Sequence, residues 1–134
     1  MFCDIKSQLD NPAVLRILAL SVYEQSLERA AQKAQAYHEN EALQCYGWVR
    51  EGILFGLCAF VVHAGKVEIA SIAVGKALQR GGIGRAMINA LREHYSLPLE
   101  AETDDDAVGF YRKCGFETTA CEKHDTRRWT CRLE

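Results

Sequence analysis

The chain has 134 residues, the size of one domain with one core, and 49% of them are hydrophobic, which excludes a disordered chain. Its net charge of -2 argues against a basic nucleic-acid footprint, and no apolar run reaches the length of a membrane span, so neither nucleic acid nor membrane is expected as a partner. The opening MFCDIKSQLD has an early acid and no apolar segment, unlike a secretory leader. The six cysteines form no C-x-x-C pair and read as reduced thiols of a cytoplasmic protein without a metal motif.

In chain order, residues 2–7 read as a short first strand. Asn11-Pro12 reads as an N-cap followed by proline at the first helical position, opening a helical pattern over 12–37. Within it, Val14, Leu15, Leu18 and Val22 share one face, whereas Leu20, Tyr23, Leu27, Ala30 and Ala34 share another. The change of face predicts a bend, or two helices meeting between Ser21 and Ser26. Residues 43–50 alternate, with Tyr46 and Trp48 on one face. Residues 53–63 are nearly all apolar, as in a central strand covered on both sides, and 67–74 form a third strand of an antiparallel meander.

Ile83, Ala86, Met87, Ala90, Leu91 and His94 then mark the clearest amphipathic helix in the chain. A short strand over 97–103 follows, and the order strand, helix, strand predicts a parallel pair with 67–74. Thr103 is expected to cap a further helix, with Asp104, Asp105 and Asp106 complementing its dipole and Gly115 ending it. Residues 116–121 and 126–132 close the chain as a hairpin around Lys123-His124-Asp125. No linker or repeat divides residues 1–134, which read as one domain.

The stretch VEIASIAVGKALQRGGIGRAM, residues 67–87, is a strand, a glycine-rich loop and a helix opening. Gly81, Gly82 and Gly84 let a ligand approach bare amides, and the unpaired N–H groups of the next helix favour phosphate. An ordinary glycine turn is one reading. A dinucleotide fingerprint is another, but Met87 stands where its third small residue belongs and the glycines come late after the strand. No Lys-Ser or Lys-Thr follows the glycines to complete a P-loop.

Gln79-Arg80-Gly81-Gly82-Ile83-Gly84 resembles the Q/R-x-x-G-x-G/A loop of the GNAT family of N-acetyltransferases. Asp104–Phe116, DDDAVGFYRKCGF, is similar to a second signature of that family through Ala107, Phe110, Tyr111, Gly115 and Phe116. Asp104 stands where the family has asparagine. The resemblance covers about residues 43–121 and implies an α/β fold: a mixed, mostly antiparallel sheet with a splayed central parallel pair and flanking helices. It implies acetyl-CoA as donor and acetyl transfer to a primary amine of a small molecule or peptide.

In the implied site, Ile72, Ala73 and Val74 pair with the pantetheine arm. Gln79, Arg80, Gly81, Gly82, Ile83, Gly84 and Arg85 hold the pyrophosphate, and Asp104 also lies at the cofactor. Tyr111 protonates the departing thiolate and Glu68 is the candidate base. Tyrosine packing and a solvent-facing glutamate are the plainer readings of those two positions. A non-catalytic acyl-CoA sensor and a different nucleotide binder are the rival functions. Glu100, Glu102 and the three aspartates hint at a cationic acceptor, and exposed strand edges leave monomer and homodimer open.

Overall fold

The computed structural model describes residues 1–76, 79, 81–123 and 126–134. Seven strands form one sheet: β1 (Phe2–Asp4), β2 (Leu43–Arg50), β3 (Ile53–Val62), β4 (Val67–Val74), β5 (Leu99–Thr103), β6 (Glu117–Lys123) and β7 (Thr126–Leu133), in the spatial order β1-β2-β3-β4-β5-β7-β6. Every neighbouring pair is antiparallel except β4 and β5. Among the described residues the α-helices are α1 (Pro12–Leu18), α2 (Leu27–Glu39), α3 (Ile83–Tyr95) and α4 (Val108–Lys113).

Two apolar layers cover the sheet, one on each face. On one, Ile83, Met87, Ile88 and Leu91 of α3 and Val108 and Tyr111 of α4 pack on Cys58, Phe60, Val67, Ile69, Leu99 and Ala101. On the other, Val14 and Leu18 of α1 and Ala30, Ala34 and Tyr37 of α2 pack on Leu43, Cys45, Leu57 and Ala59. Residues of β3 therefore alternate between two cores, which is why that strand is apolar almost throughout.

The helical pattern over 12–37 breaks where the face changes. Asn11 caps α1 by accepting from the Ala13 amide at 2.9 Å, and Ser26 caps α2 by accepting from the Arg29 amide at 3.2 Å. Between the helices, Glu24 and Gln25 hold φ of 59° and 50°, left-handed values that no helix accommodates.

Other boundaries move for local reasons. The first strand ends at Asp4, whose side chain accepts from the Lys6 amide as the chain turns into a 3-10 segment. The strand expected from Leu97 begins at Leu99, because Pro98 offers no N–H and only its carbonyl accepts, from Val67 at 2.8 Å. Thr103 is not a helix cap. It ends β5, and Asp104 accepts from the Ala107 amide at 2.9 Å, so the aspartates form a turn ahead of α4 instead of its first turn. Gly115, at φ 94°, ends the helical segment as expected. The last hairpin is present, with Lys123 opposite Thr126; His124 and Asp125 lie outside the described residues.

Burial of thiols and phenols makes alkaline stability predictable. Desolvation raises Cys45 from the ordinary thiol value of 9.0 to about 12, and also raises Cys58 and Tyr111. Below 9.0 these groups are neutral in both the folded and unfolded chain, so the stability they support is fully present. Above it the unfolded chain releases protons that the folded chain retains, and stability is lost as pH rises toward 12. The melting temperature should therefore fall progressively over that window. A flat melting curve from pH 9 to 12 would contradict this burial.

Candidate functional site

The site begins with one extra residue in β4. Phe60 of β3 lies opposite Ile69, but its neighbour Ala59 lies opposite Ser71, so Ala70 is unpaired in the ladder. Such a bulge bends the strand and reverses which side chains face which side. Val67 and Ile69 point into the α3–α4 layer. Beyond Ala70, Ser71 faces α2, while Ile72 and Val74 pack against the α3–α4 layer.

The bulge coincides with the end of the parallel pair. β4 and β5 are matched only at Val67–Leu99, Glu68–Glu100 and Ile69–Ala101. Past that point β4 stays with β3 as far as Val74, and β5 stays with β7 as far as Thr103. The two strands splay and leave a wedge in the middle of the sheet.

A groove of about 680 Å³ continues this wedge. One wall is Ile72, Ala73 and Val74, the other Asp106, Ala107, Phe110, Lys113 and Cys114, with Leu20 at one side and Gln79, Gly82, Gly84 and Arg85 at the mouth. Gln79 donates from Nε2 to the Val74 carbonyl at 3.2 Å, tying the loop to the end of β4. Arg85 donates to the Lys113 carbonyl, bridging the start of α3 and the end of α4.

The glycines serve different ends. Gly82 caps α3 at φ 80°, in the left-handed region, and open space surrounds its missing side chain. Gly84 is buried beneath Phe110: a Cβ there would lie 2.6 Å from Phe110 Cε1. Gly84→Ala should thus cost about 1–3 kcal/mol through overpacking. Its melting temperature should fall by several degrees. An unchanged melting temperature for Gly84→Ala would show that Phe110 moves aside freely.

The remaining sequence candidates are distributed around the groove. Gly81 is exposed ahead of α3 and Ile83 is buried in the core; neither is among the residues that line the groove. Arg80 lies outside the described residues. Asp104 is engaged with the Ala107 amide and does not line the groove; Asp106 does. Leu20, Phe110, Lys113 and Cys114 also line it without having been singled out as binding residues. The helical spacing that puts Tyr111 inward puts its neighbours Phe110 and Cys114 along the groove.

Tyr111 is 6% exposed, packed edge-on against Phe110 and Phe116 at centroid distances of 5.2 Å. Burial raises its pKa, and the thiols of Cys58 and Cys131 add to the rise. Cys58 is on β3 and Cys131 on β7, the strands flanking the parallel pair, and Tyr111 itself is not among the residues that line the groove. Glu68 is on the other face of the sheet. Its side chain is 53% exposed and its Oε1 lies 3.2 Å from His63 Nε2.

Of the acids expected to attract a cationic acceptor, Glu100, Glu102, Asp104 and Asp105 have partners within the chain. Glu100 pairs with Lys66 and Arg132, and Glu102 with Lys123 and Arg128. The Arg128 hydrogen bond holds the Glu102 carboxyl below the usual range. Asp105 binds Arg127 through both oxygens and accepts from Trp129 Nε1 at 2.6 Å. Apart from Asp106 at the groove wall, these carboxylates organise the C-terminal hairpin and the turn before α4.

Comparison with known proteins places this geometry. Residues 11–116 match the model of the acetyltransferase (GNAT) family. An uncharacterized N-acetyltransferase from the lysA 3' region of Bacillus methanolicus is 30% identical over 99 residues, covering 73% of this chain and 82% of that protein. A putative GNAT-family acetyltransferase from Desulfovibrio desulfuricans superimposes with a TM-score of 0.78 at 18% identity, over 100% of this chain and 98% of its own. An aminoglycoside 6'-N-acetyltransferase complexed with coenzyme A gives 0.75 at 12% identity, over 99% and 96%. The mixed sheet, its split parallel pair and the match across most of the sequence make this chain a member of the GNAT family of acetyltransferases, and an acyltransferase.

Proposed function

We propose that residues 1–134 form one N-acetyltransferase domain that moves the acetyl group of acetyl-CoA to a primary amine of a small molecule or peptide. The observation that carries this reading is the wedge: β4 beyond Ile69 presents a backbone edge with no partner on β5, beside a groove that ends at a glycine-capped helix. An extended pantetheine arm fits such an edge as an added strand would. Ile72, Ala73 and Val74 hold it, and the α3 N-terminus with Gln79, Arg80, Gly81, Gly82, Ile83, Gly84 and Arg85 takes the pyrophosphate. Asp104 supports that wall by capping its turn.

Acetyl-CoA supplies an activated acyl group as a thioester. The chain's own groups manage the protons. An alkyl amine carries a proton at neutral pH, with a pKa of about 10, and must lose it before attack. Glu68, exposed on the α1–α2 side of the sheet, accepts that proton directly or through water. A β4 amide at the bulge stabilises the oxyanion of the tetrahedral intermediate. Tyr111, on the α3–α4 side, gives its phenolic proton to sulfur as the carbon–sulfur bond breaks. The base and the acid thus work from opposite faces of the sheet, with the wedge between them.

The test is a screen of polyamines, amino acids, aminoglycosides and peptide N-termini with acetyl-CoA, read as thiol release. Turnover with one class supports the reading and names the acceptor. Tight acetyl-CoA binding without thiol release across the screen would make the chain a non-catalytic sensor. Binding of NAD or ATP in preference to acetyl-CoA would overturn the assignment of the groove.

A further inference from the structure

We infer that Tyr37 is a positioning residue for acyl transfer, acting on the β4 bulge through Ser71; this rests on the assignment of the wedge to acetyl-CoA. Tyr37 Oη and Ser71 Oγ are 2.6 Å apart, joining α2 to β4. The residues are 9% and 5% exposed, and burial raises the Tyr37 pKa, so the phenol stays neutral within the bond.

The position of the bond in the sheet gives it a consequence beyond packing. Ser71 is the first residue after the unpaired Ala70. In a regular strand it would follow Val67 and Ile69 into the layer of Cys58, Phe60 and Met87, on the face away from Tyr37. In the bulged strand it turns to the other face and finds Tyr37. A buried hydroxyl favours the arrangement in which it is bonded. The pair therefore selects the bulged register, and that register decides how Ile72–Val74 present their edge to the wedge. Tyr37 itself is not among the groove-lining residues, so its influence on chemistry passes through the strand.

Recognition of acetyl-CoA is spread over three strand residues and the loop at α3, and it tolerates a small shift. Alignment of the thioester carbonyl with a single strand amide does not, since a displacement of about 1 Å can cost on the order of 10²-fold in rate. Tyr37→Phe should lower kcat by roughly 10- to 100-fold while the affinity for acetyl-CoA changes little. Ser71→Ala should do the same, and the double variant should lose no more than either single one, because all three remove one bond. Ser71→Thr keeps a hydroxyl and should recover much of the rate.

The experiment measures acetyl-CoA affinity by calorimetry and single-turnover thiol release from acetyl-CoA, with water or the amine from the screen as acceptor. Melting temperatures confirm that each variant is folded. Wild-type kcat in folded Tyr37→Phe and Ser71→Ala, or a double variant whose losses multiply, overturns the positioning role while the wedge assignment stands. A wild-type chain that does not bind acetyl-CoA, or binds it and never releases thiol, overturns the catalytic reading and this inference together.

Discussion

Tyr111→Phe should lower kcat by about 10²–10⁴-fold, the usual contribution of a general acid, with acetyl-CoA affinity nearly unchanged. Collapse of the tetrahedral intermediate expels a thiolate, which is stabilised if it gains a proton as the bond breaks. A phenol is protonated at neutral pH and so has a proton to give. Its phenol is buried among Phe110, Phe116 and three cysteines, and desolvation holds it protonated well above its ordinary pKa. Removing only the hydroxyl retains the ring and its edge-on contacts, so the folded chain persists. Initial-rate kinetics with chemistry shown to be rate-limiting check this. Wild-type kcat in that variant would reduce Tyr111 to packing and leave water as the proton donor.

Glu68→Gln should lower turnover at neutral pH by a comparable 10²–10⁴-fold, with partial recovery as pH rises and free amine becomes abundant. The side chain is open to solvent and paired with His63, so an accepted proton can leave to water or to the imidazole. Glu68 precedes the bulge on the face that Ser71 shares after it, the face turned away from Tyr111. The pH–rate profile is the check. An identical profile in Glu68→Gln would make this residue one half of a surface pair with His63.

The sheet was largely readable from alternation and turns, because each strand buries side chains in a regular pattern that the sequence displays. The bulge at Ala70 was not. In β4, buried and exposed positions alternate as far as Ser71 and the buried ones continue at Ala73, as in an unbroken strand, because the core below the bulge lies on one face and the cover above it on the other. Periodicity records burial without recording which face provides it. The loop glycines marked the site, but not the separate reasons for them: left-handed backbone at Gly82 and the ring of Phe110 at Gly84. The acidic run from Asp104 pointed to a helix start. The carboxylates divide instead among a turn, an arginine and the groove wall, since their partners Arg127 and Trp129 arrive from a strand far along the chain. The acids of β5 misled for the same reason, their cations being supplied by neighbouring strands and turns.

Acetyl-CoA bound as proposed would lie in the wedge with its phosphates at the start of α3. Amide hydrogen exchange of the full chain, with and without saturating acetyl-CoA, tests it most directly. Backbone amides bonded to a ligand exchange more slowly, because exchange then requires release as well as opening. Residues 72–74 and 81–85 should gain protection, while β1 and the exposed edge of β6 should not. Protection confined to the C-terminal hairpin, or none at saturation, would show that acetyl-CoA does not bind in the wedge.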